Sequence, residues 1–226
     1  IYSLINFSDH THCDMAEFYN EWSLISGGLS KDRSLGGYRF GVMVVPKENL
    51  QLIKAIKSIG SETWSCVPDP IQYAALEAYE PSEDVIQYIQ DCTQIHETIS
   101  RYMYKELTKH PKIHCCRPKG AFYLYPNWNN YRSGLKEKGI KTSRQLAEYL
   151  LKNHGIATLP GSHFGMPVKD LGVRLALVDY DGEKVLKYFK ENREKVLNDP
   201  ESFIQQFTPH IFQASQQFHH FTRSLK

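Results

Sequence analysis

The chain of 226 residues has no apolar run approaching the ~20 residues a helix needs to cross a bilayer. Its first residues, Ile1 to Phe7, carry no basic segment of the kind that opens a secretory signal. Charge of either sign is barely in excess: 27 Lys and Arg against 25 Asp and Glu leave a formal net charge of +2. That balance gives no reason to expect nucleic acid or an anionic membrane as a partner. Cysteine is sparse and unpatterned. The five, Cys13, Cys66, Cys92, Cys115 and Cys116, are odd in number and irregular in spacing. A disulfide framework is therefore not expected, and a reducing cytosol with free thiols is. Internal repeats and low-complexity linkers are absent. The stretch His10-Thr11-His12-Cys13-Asp14 packs ligand-type residues together, but a second ligand cluster is lacking. A structural or surface role is expected for it, and no metal site. The chain also lacks a starting Met and begins inside an apolar stretch, which leaves open a fragment, a processed product or a trimmed chain.

What remains is an ordinary globular composition, 41% hydrophobic and 23% charged, enough for one large domain or two small ones. Residues 1–7 read as the end of a strand. Trp22–Ser26 and Tyr38–Val45 read as two more, the second as a buried one closed by Pro46. Leu50, Ile53, Ile56 and Ile59 predict a helix over 48–59. Residues 61–70 read as a loop and 71–80 as a short helix stopped by Pro81. Ser82 is placed to cap the longest helix, with Val85, Ile89, Cys92, Ile95, Ile99, Met103 and Leu107 along one face. Strands are expected over 113–116, 121–125, 156–159 and 173–178, and helices over 142–151 and 182–196. The polar tail from Asn198, with scattered Phe, is expected to form one more surface helix. This alternation means α/β or α+β, with a boundary near 80–85.

One loop asks for chemistry. Gly27–Gly41 reads GGLSKDRSLGGYRFG and runs into the apolar Val42–Val45. A lone loop lysine is ordinarily a solvated charge. Here flanking strands place Lys31 near buried structure, and the glycines let the backbone approach a ligand closely. Arg39 falls inside a strand pattern, where a charge among buried neighbours needs a partner. A lysine amine can attack a carbonyl to form a Schiff base, and an arginine fork suits a phosphate. Together they suggest a phosphorylated aldehyde, of which pyridoxal 5'-phosphate is the common one.

The stretch resembles the lysine signature of the class I/II aminotransferases, which are fold-type I pyridoxal-phosphate enzymes. Gly28, Leu29, Ser30, Lys31, Ser34, Leu35, Gly37, Arg39 and Gly41 fit it, and Phe40 stands where a smaller aliphatic is usual. The resemblance implies Lys31 as Schiff-base lysine and proton carrier, and Arg39 as phosphate ligand. Many relatives have a serine where this chain has Gly28, which leaves Ser26 or Ser30 to supply a hydroxyl. Ile1-Tyr2 resembles the end of the family's Asp-Glu-Ile/Val-Tyr strand and implies that Tyr2 bonds the cofactor's phenolic oxygen. Residues 120–126 (GAFYLYP), 159–165 (LPGSHFG) and 173–178 (VRLALV) are similar to small-domain segments of the family. They imply that Arg174 holds the substrate α-carboxylate.

A physical reading agrees for Arg174. Val173, Leu175 and Leu177 alternate with Arg174, Ala176 and Val178, so one strand face carries a single charge among small apolar residues. The resemblance further implies an α/β fold, the C-terminal part of the aminotransferase fold. Residues 1–82 would end the large cofactor domain, 83–197 form the small α+β domain, and 198–226 a helical tail. Trp64 or Ser65 would lie near a homodimer interface. The implied reaction is amino-group transfer between an α-amino acid and a 2-oxo acid in the cytoplasm. The family's ring-pairing aspartate belongs three residues before Tyr2, off this chain, so the piece alone is expected to be inactive. A lyase, synthase or decarboxylase on the same scaffold, an effector-sensing domain of a transcription regulator, and a non-catalytic remnant remain alternatives.

Overall fold

The computed structural model describes residues 1–8 and 12–225. His10 and Thr11 of the ligand-type cluster lie outside them. The described chain divides into two compact units, Ile1–Thr93 and Gln94–Lys226.

In the first unit, β1 (Ile25–Gly28) and β2 (Gly41–Val44) form an antiparallel ribbon, with Ile25 opposite Val44 and Gly28 opposite Gly41. Helices α1 (Leu50–Thr63) and α2 (Asp69–Tyr79) follow, then the first turns of α3 (Glu83–Thr108). Pro70 in the first turn of α2 needs no partner for its missing N–H. Ser82 does cap α3, its Oγ accepting from Val85 N at 3.4 Å. Residues 1–7 form turns rather than a strand: Ile5 N donates to Tyr2 O at 2.9 Å, with Ile5 and Phe7 buried. Nor is β2 a buried strand, since Val42, Met43 and Val44 are 40%, 53% and 57% exposed. Among the described residues their sheet has two strands, and so small a ribbon cannot bury both faces by itself.

The second unit is built on a three-stranded antiparallel sheet of order β3-β5-β4. The strands are β3 (Tyr123–Leu124), β4 (Leu159–Pro160) and β5 (Val173–Ala176). Residues 113–116 join it through one bridge, His114 to Asn127, and Asn127 bridges on to Gly172. Helices α4 (Arg132–Glu137), α5 (Ser143–His154), α6 (Gly182–Asn198), α7 (Pro200–Phe207) and α8 (Pro209–Arg223) complete it. Side-chain caps start three of them: Thr142 accepts from Gln145 N, Asp181 from Lys184 N and Asp199 from Ser202 N, each at 3.2 Å. Gly155, at φ 66°, ends α5 in the left-handed conformation.

The core gathers Ile99, Met103 and Leu107 of α3, Leu146 and Leu150 of α5, and Phe189 of α6. Phe203, Phe218 and Phe221 of α7 and α8 join them. Trp128 is fully buried, stacked on Phe218 with centroids 5.6 Å apart, and its Nε1 donates to Thr222 Oγ1 at 3.1 Å. Among the described residues no helix is long and apolar enough to cross a membrane, and the five cysteines form no disulfide.

Candidate functional site

The loop between β1 and β2 is folded by its own backbone. Leu29, buried, accepts from Leu35 N at 3.0 Å, and Leu35 O accepts from Tyr38 N at 3.0 Å. Gly36–Tyr38 make a turn of 3-10 helix. Lys31 is half-buried inside this fold, its Nζ 5.9 Å from the centroid of the Tyr2 ring. The structure thus brings Tyr2 and Lys31 together. Ser30 is half-buried against Gly36, where an added Cβ would lie 3.9 Å from Ser30 Cβ.

Arg39 does not lie inside a strand. It precedes β2 in the left-handed conformation (φ 52°), exposed, with Nη1 donating to Gly36 O at 2.8 Å. The adjacent Gly36-Gly37 turn leaves that carbonyl free to take the charge. Gly28 has its own steric reason. A Cβ there would stand 2.9 Å from Phe40 O, so a serine at this position requires the backbone to shift. The hydroxyl many relatives carry has no room in this ribbon.

The sequence reading passed over what holds the loop. Arg33, two residues after Lys31, pairs with the buried Asp32 at 3.0 Å, donates from Nε to Ala78 O of α2, and stacks 4.8 Å over the Tyr79 ring. The Asp32-Arg33 doublet was the signal: two charges in succession inside a Gly/Ser loop need partners.

Arg174 belongs to the second unit. Along β5, Val173 and Leu175 are buried, Arg174 is half-buried and Ala176 is exposed, so the alternation read from sequence holds. The guanidinium lies against two rings, 4.5 Å from the Tyr123 centroid and 4.3 Å from that of Phe164. Its Nε is buried and has no hydrogen-bond partner among the described residues. Among the described residues no carboxylate pairs with this cation, and a guanidinium beside two rings can take a planar anion.

Close by in the chain, Asp170 is buried and fully bonded. Tyr125 Oη donates to Oδ2 at 2.7 Å and Gly172 N to Oδ2 at 3.1 Å. Asn127 Nδ2 and Asn129 Nδ2 donate to Oδ1 at 2.6 and 2.8 Å. Burial alone would raise this carboxyl, but the bonds from Tyr125, Asn129 and Asn127 hold it below its ordinary value. Desolvation and the Asp170 carboxylate push the Tyr125 phenol well up. Asn127 and Asn129 gave no sequence signal: Asp170 lies beyond α4, α5 and β4, and only the fold joins them.

The first unit thus holds a primary amine beside a phenol and a guanidinium at a turn of the same loop, and the second unit holds a guanidinium beside two rings. Comparison with known proteins gives the family and the fold. The family model "Aminotransferase class I and II" matches residues 2–186. The aspartate aminotransferase of Geobacillus stearothermophilus is 31% identical over 170 residues, 74% of this chain and 41% of that protein. The asparagine–oxo-acid transaminase of Streptococcus mutans is 32% identical over 145 residues, 64% of this chain and 35% of that one. Among solved structures, the aspartate aminotransferase of Rhizobium meliloti covers 100% of this chain at 21% identity and TM-score 0.72, which speaks for the fold. The aromatic aminotransferase of Pyrococcus horikoshii covers 89% at 25% identity and TM-score 0.67. The chain spans 49% and 50% of those two structures, so its α/β architecture is a partial aminotransferase fold.

Proposed function

Since the chain belongs to the class I and II aminotransferase family, we propose that it is the part of a pyridoxal-phosphate-dependent transaminase that carries the reactive lysine. The whole protein then moves an amino group between an α-amino acid and a 2-oxo acid, as a cytoplasmic homodimer. The observation that carries this reading is the half-buried Lys31 amine facing the Tyr2 ring at 5.9 Å, in a loop that α2 braces through Arg33.

The residues present suit the cofactor. Lys31 offers the amine for its aldehyde, Tyr2 a phenol donor for its ring oxygen, and Ser30 and Arg39 a hydroxyl and a cation for its phosphate. When bound, the group supplies an electron sink next to the substrate's α-carbon. Lys31 Nζ would accept the proton from that carbon and could give it back, acting as general base and then general acid. Arg174 would bind the substrate's α-carboxylate with its guanidinium. Tyr123 and Phe164 lie against that guanidinium, with ring centroids 4.5 and 4.3 Å away.

The test is an amino-transfer assay that follows 2-oxo acid formation by the whole protein, by its Lys31→Ala variant and by the 226-residue chain alone. Turnover by the whole protein only is the expected result. Turnover that survives Lys31→Ala removes the proposal.

A further inference from the structure

We propose that Tyr125 and Asp170 form a pin that positions the Arg174 guanidinium for its carboxylate ligand. The inference rests on the reading of Arg174 as a carboxylate clamp, and it assigns a role to a network which that reading leaves idle.

The register places the parts. β3 pairs with β5 so that Tyr123 faces Ala176 and Leu124 faces Leu175. One residue further along, Tyr125 stands opposite Arg174, and Val173 N donates to Pro126 O at 3.1 Å just beyond. On the other edge Leu159 of β4 faces Arg174. Arg174 is therefore the centre of a cross-strand row whose outer members are Tyr125 and Leu159.

The Tyr125 side chain fills a slot that two glycines leave open. A Cβ on Gly161 would come within 2.0 Å of Tyr125 Oη, and one on Gly172 within 2.4 Å of it. Gly172 lies two residues before Arg174, on the same face of the strand. Gly161 opens the 3-10 turn Gly161–Phe164, which carries the ring that stacks on Arg174. Tyr125 thus touches both segments that flank the guanidinium, and Asp170 locks its hydroxyl at 2.7 Å. The aspartate is held in turn by Asn127 and Asn129, and Asn129 Oδ1 accepts from Leu171 N at 3.0 Å and from Arg132 Nη2 at 2.7 Å. Gly161 N donates to Gly172 O at 3.0 Å, so the turn bearing Phe164 is bonded to the segment that leads into Arg174, and the Tyr125 ring packs over that junction. Without the Tyr125–Asp170 bond the ring is no longer held against Gly161 and Gly172, and the turn bearing Phe164 is fixed beside the guanidinium by its backbone alone. Tyr125 and Asp170 are positioning residues: they act on the ligand through Arg174.

The test uses the 226-residue chain and the side-chain Nε–H signal of Arg174 in ¹⁵N NMR, assigned by its loss in Arg174→Lys. Succinate is the carboxylate probe. Tyr125→Phe keeps the ring and removes the bond to Asp170, a charged acceptor, so Nε–H exchange with solvent is expected to quicken by about tenfold. Succinate affinity is expected to fall by about threefold or more in the same variant, and Asp170→Asn is expected to move both in the same direction. Thr222→Val is the control, because it removes the buried bond from Trp128 without touching the pin. Loss of general stability would move the control equally. Exchange and affinity that stay within about twofold in Tyr125→Phe, or that change alike in Thr222→Val, overturn the proposal. If Arg174→Lys binds succinate as the native chain does, the carboxylate reading of Arg174 has failed instead, and the exchange rates still judge the pin.

Discussion

Replacing Gly172 by alanine adds one methyl group at a place with no room for it. The new Cβ would lie 2.4 Å from Tyr125 Oη, 2.5 Å from Cζ and 2.6 Å from Cε1. The hydroxyl oxygen and two ring atoms are involved, so a rotamer change at the tip does not relieve the clash; the whole ring must leave. Overpacking of this kind costs about 1–3 kcal/mol. Displacing the ring also breaks the hydrogen bond to the buried Asp170 carboxylate, a further loss of about 1.5–3 kcal/mol. The expected destabilisation is roughly 3–5 kcal/mol. Urea unfolding followed by tryptophan fluorescence reads it well. Trp128 is fully buried in the second unit, whereas Trp22 and Trp64 are 86% and 63% exposed and change little on unfolding. Gly182→Ala is the matched control: nothing lies within 4 Å of its added Cβ, and the residue opens α6. Gly172→Ala in a Tyr125→Ala background should lose much of its penalty, because the obstacle is gone. A cost below about 1 kcal/mol for Gly172→Ala, or one that Tyr125→Ala leaves unchanged, refutes the slot.

Other outcomes follow from single contacts. Burial holds the His96 imidazole down at about 4, against an ordinary 6.5. The folded value is depressed for a base, so the unfolded chain binds more protons between those limits; stability is fully present above about 6.5 and declines as pH falls toward 4. Urea midpoints from pH 7 to 4 should show that decline, and His96→Gln should flatten it; an unchanged slope in the variant rejects His96 as the cause. Ser82→Ala should cost about 1 kcal/mol, the worth of an N-cap, since it removes the bond to Val85 N. Native and variant curves that superimpose would mean the 3.4 Å contact contributes nothing.

Several elements were legible because local chemistry decides them. The apolar face from Val85 to Leu107 and the cap at Ser82 gave α3 its start and its buried side. Thr142 and Gly155 mark the two ends of α5. The alternation around Arg174 gave β5 its orientation. Where partners lie far off in sequence, the reading failed. The apolar run Val42–Val45 looks like a core strand, yet among the described residues its ribbon has two strands, and Val42, Met43 and Val44 are exposed. Ile5 and Phe7 are buried in turns, where burial carries no period to read. The phenylalanines after residue 200 look scattered because they belong to two helices, each placing its own at the core. At the site, Lys31, Arg39 and Arg174 stood out as charges in apolar or glycine-rich surroundings. Arg33 and Asp170 became visible only with their partners, Ala78 and Tyr125, which are 45 positions away in each case.

The most direct measurement concerns Lys31. The chain is mixed with pyridoxal 5'-phosphate, reduced with borohydride, digested and mapped by mass, alongside Lys31→Ala and Lys54→Ala. A pyridoxyl label concentrated on Lys31, absent from Lys31→Ala and unchanged in Lys54→Ala, is the result expected if this loop holds the cofactor. A label spread over the exposed lysines, with the same total in Lys31→Ala as in the native chain, would contradict it.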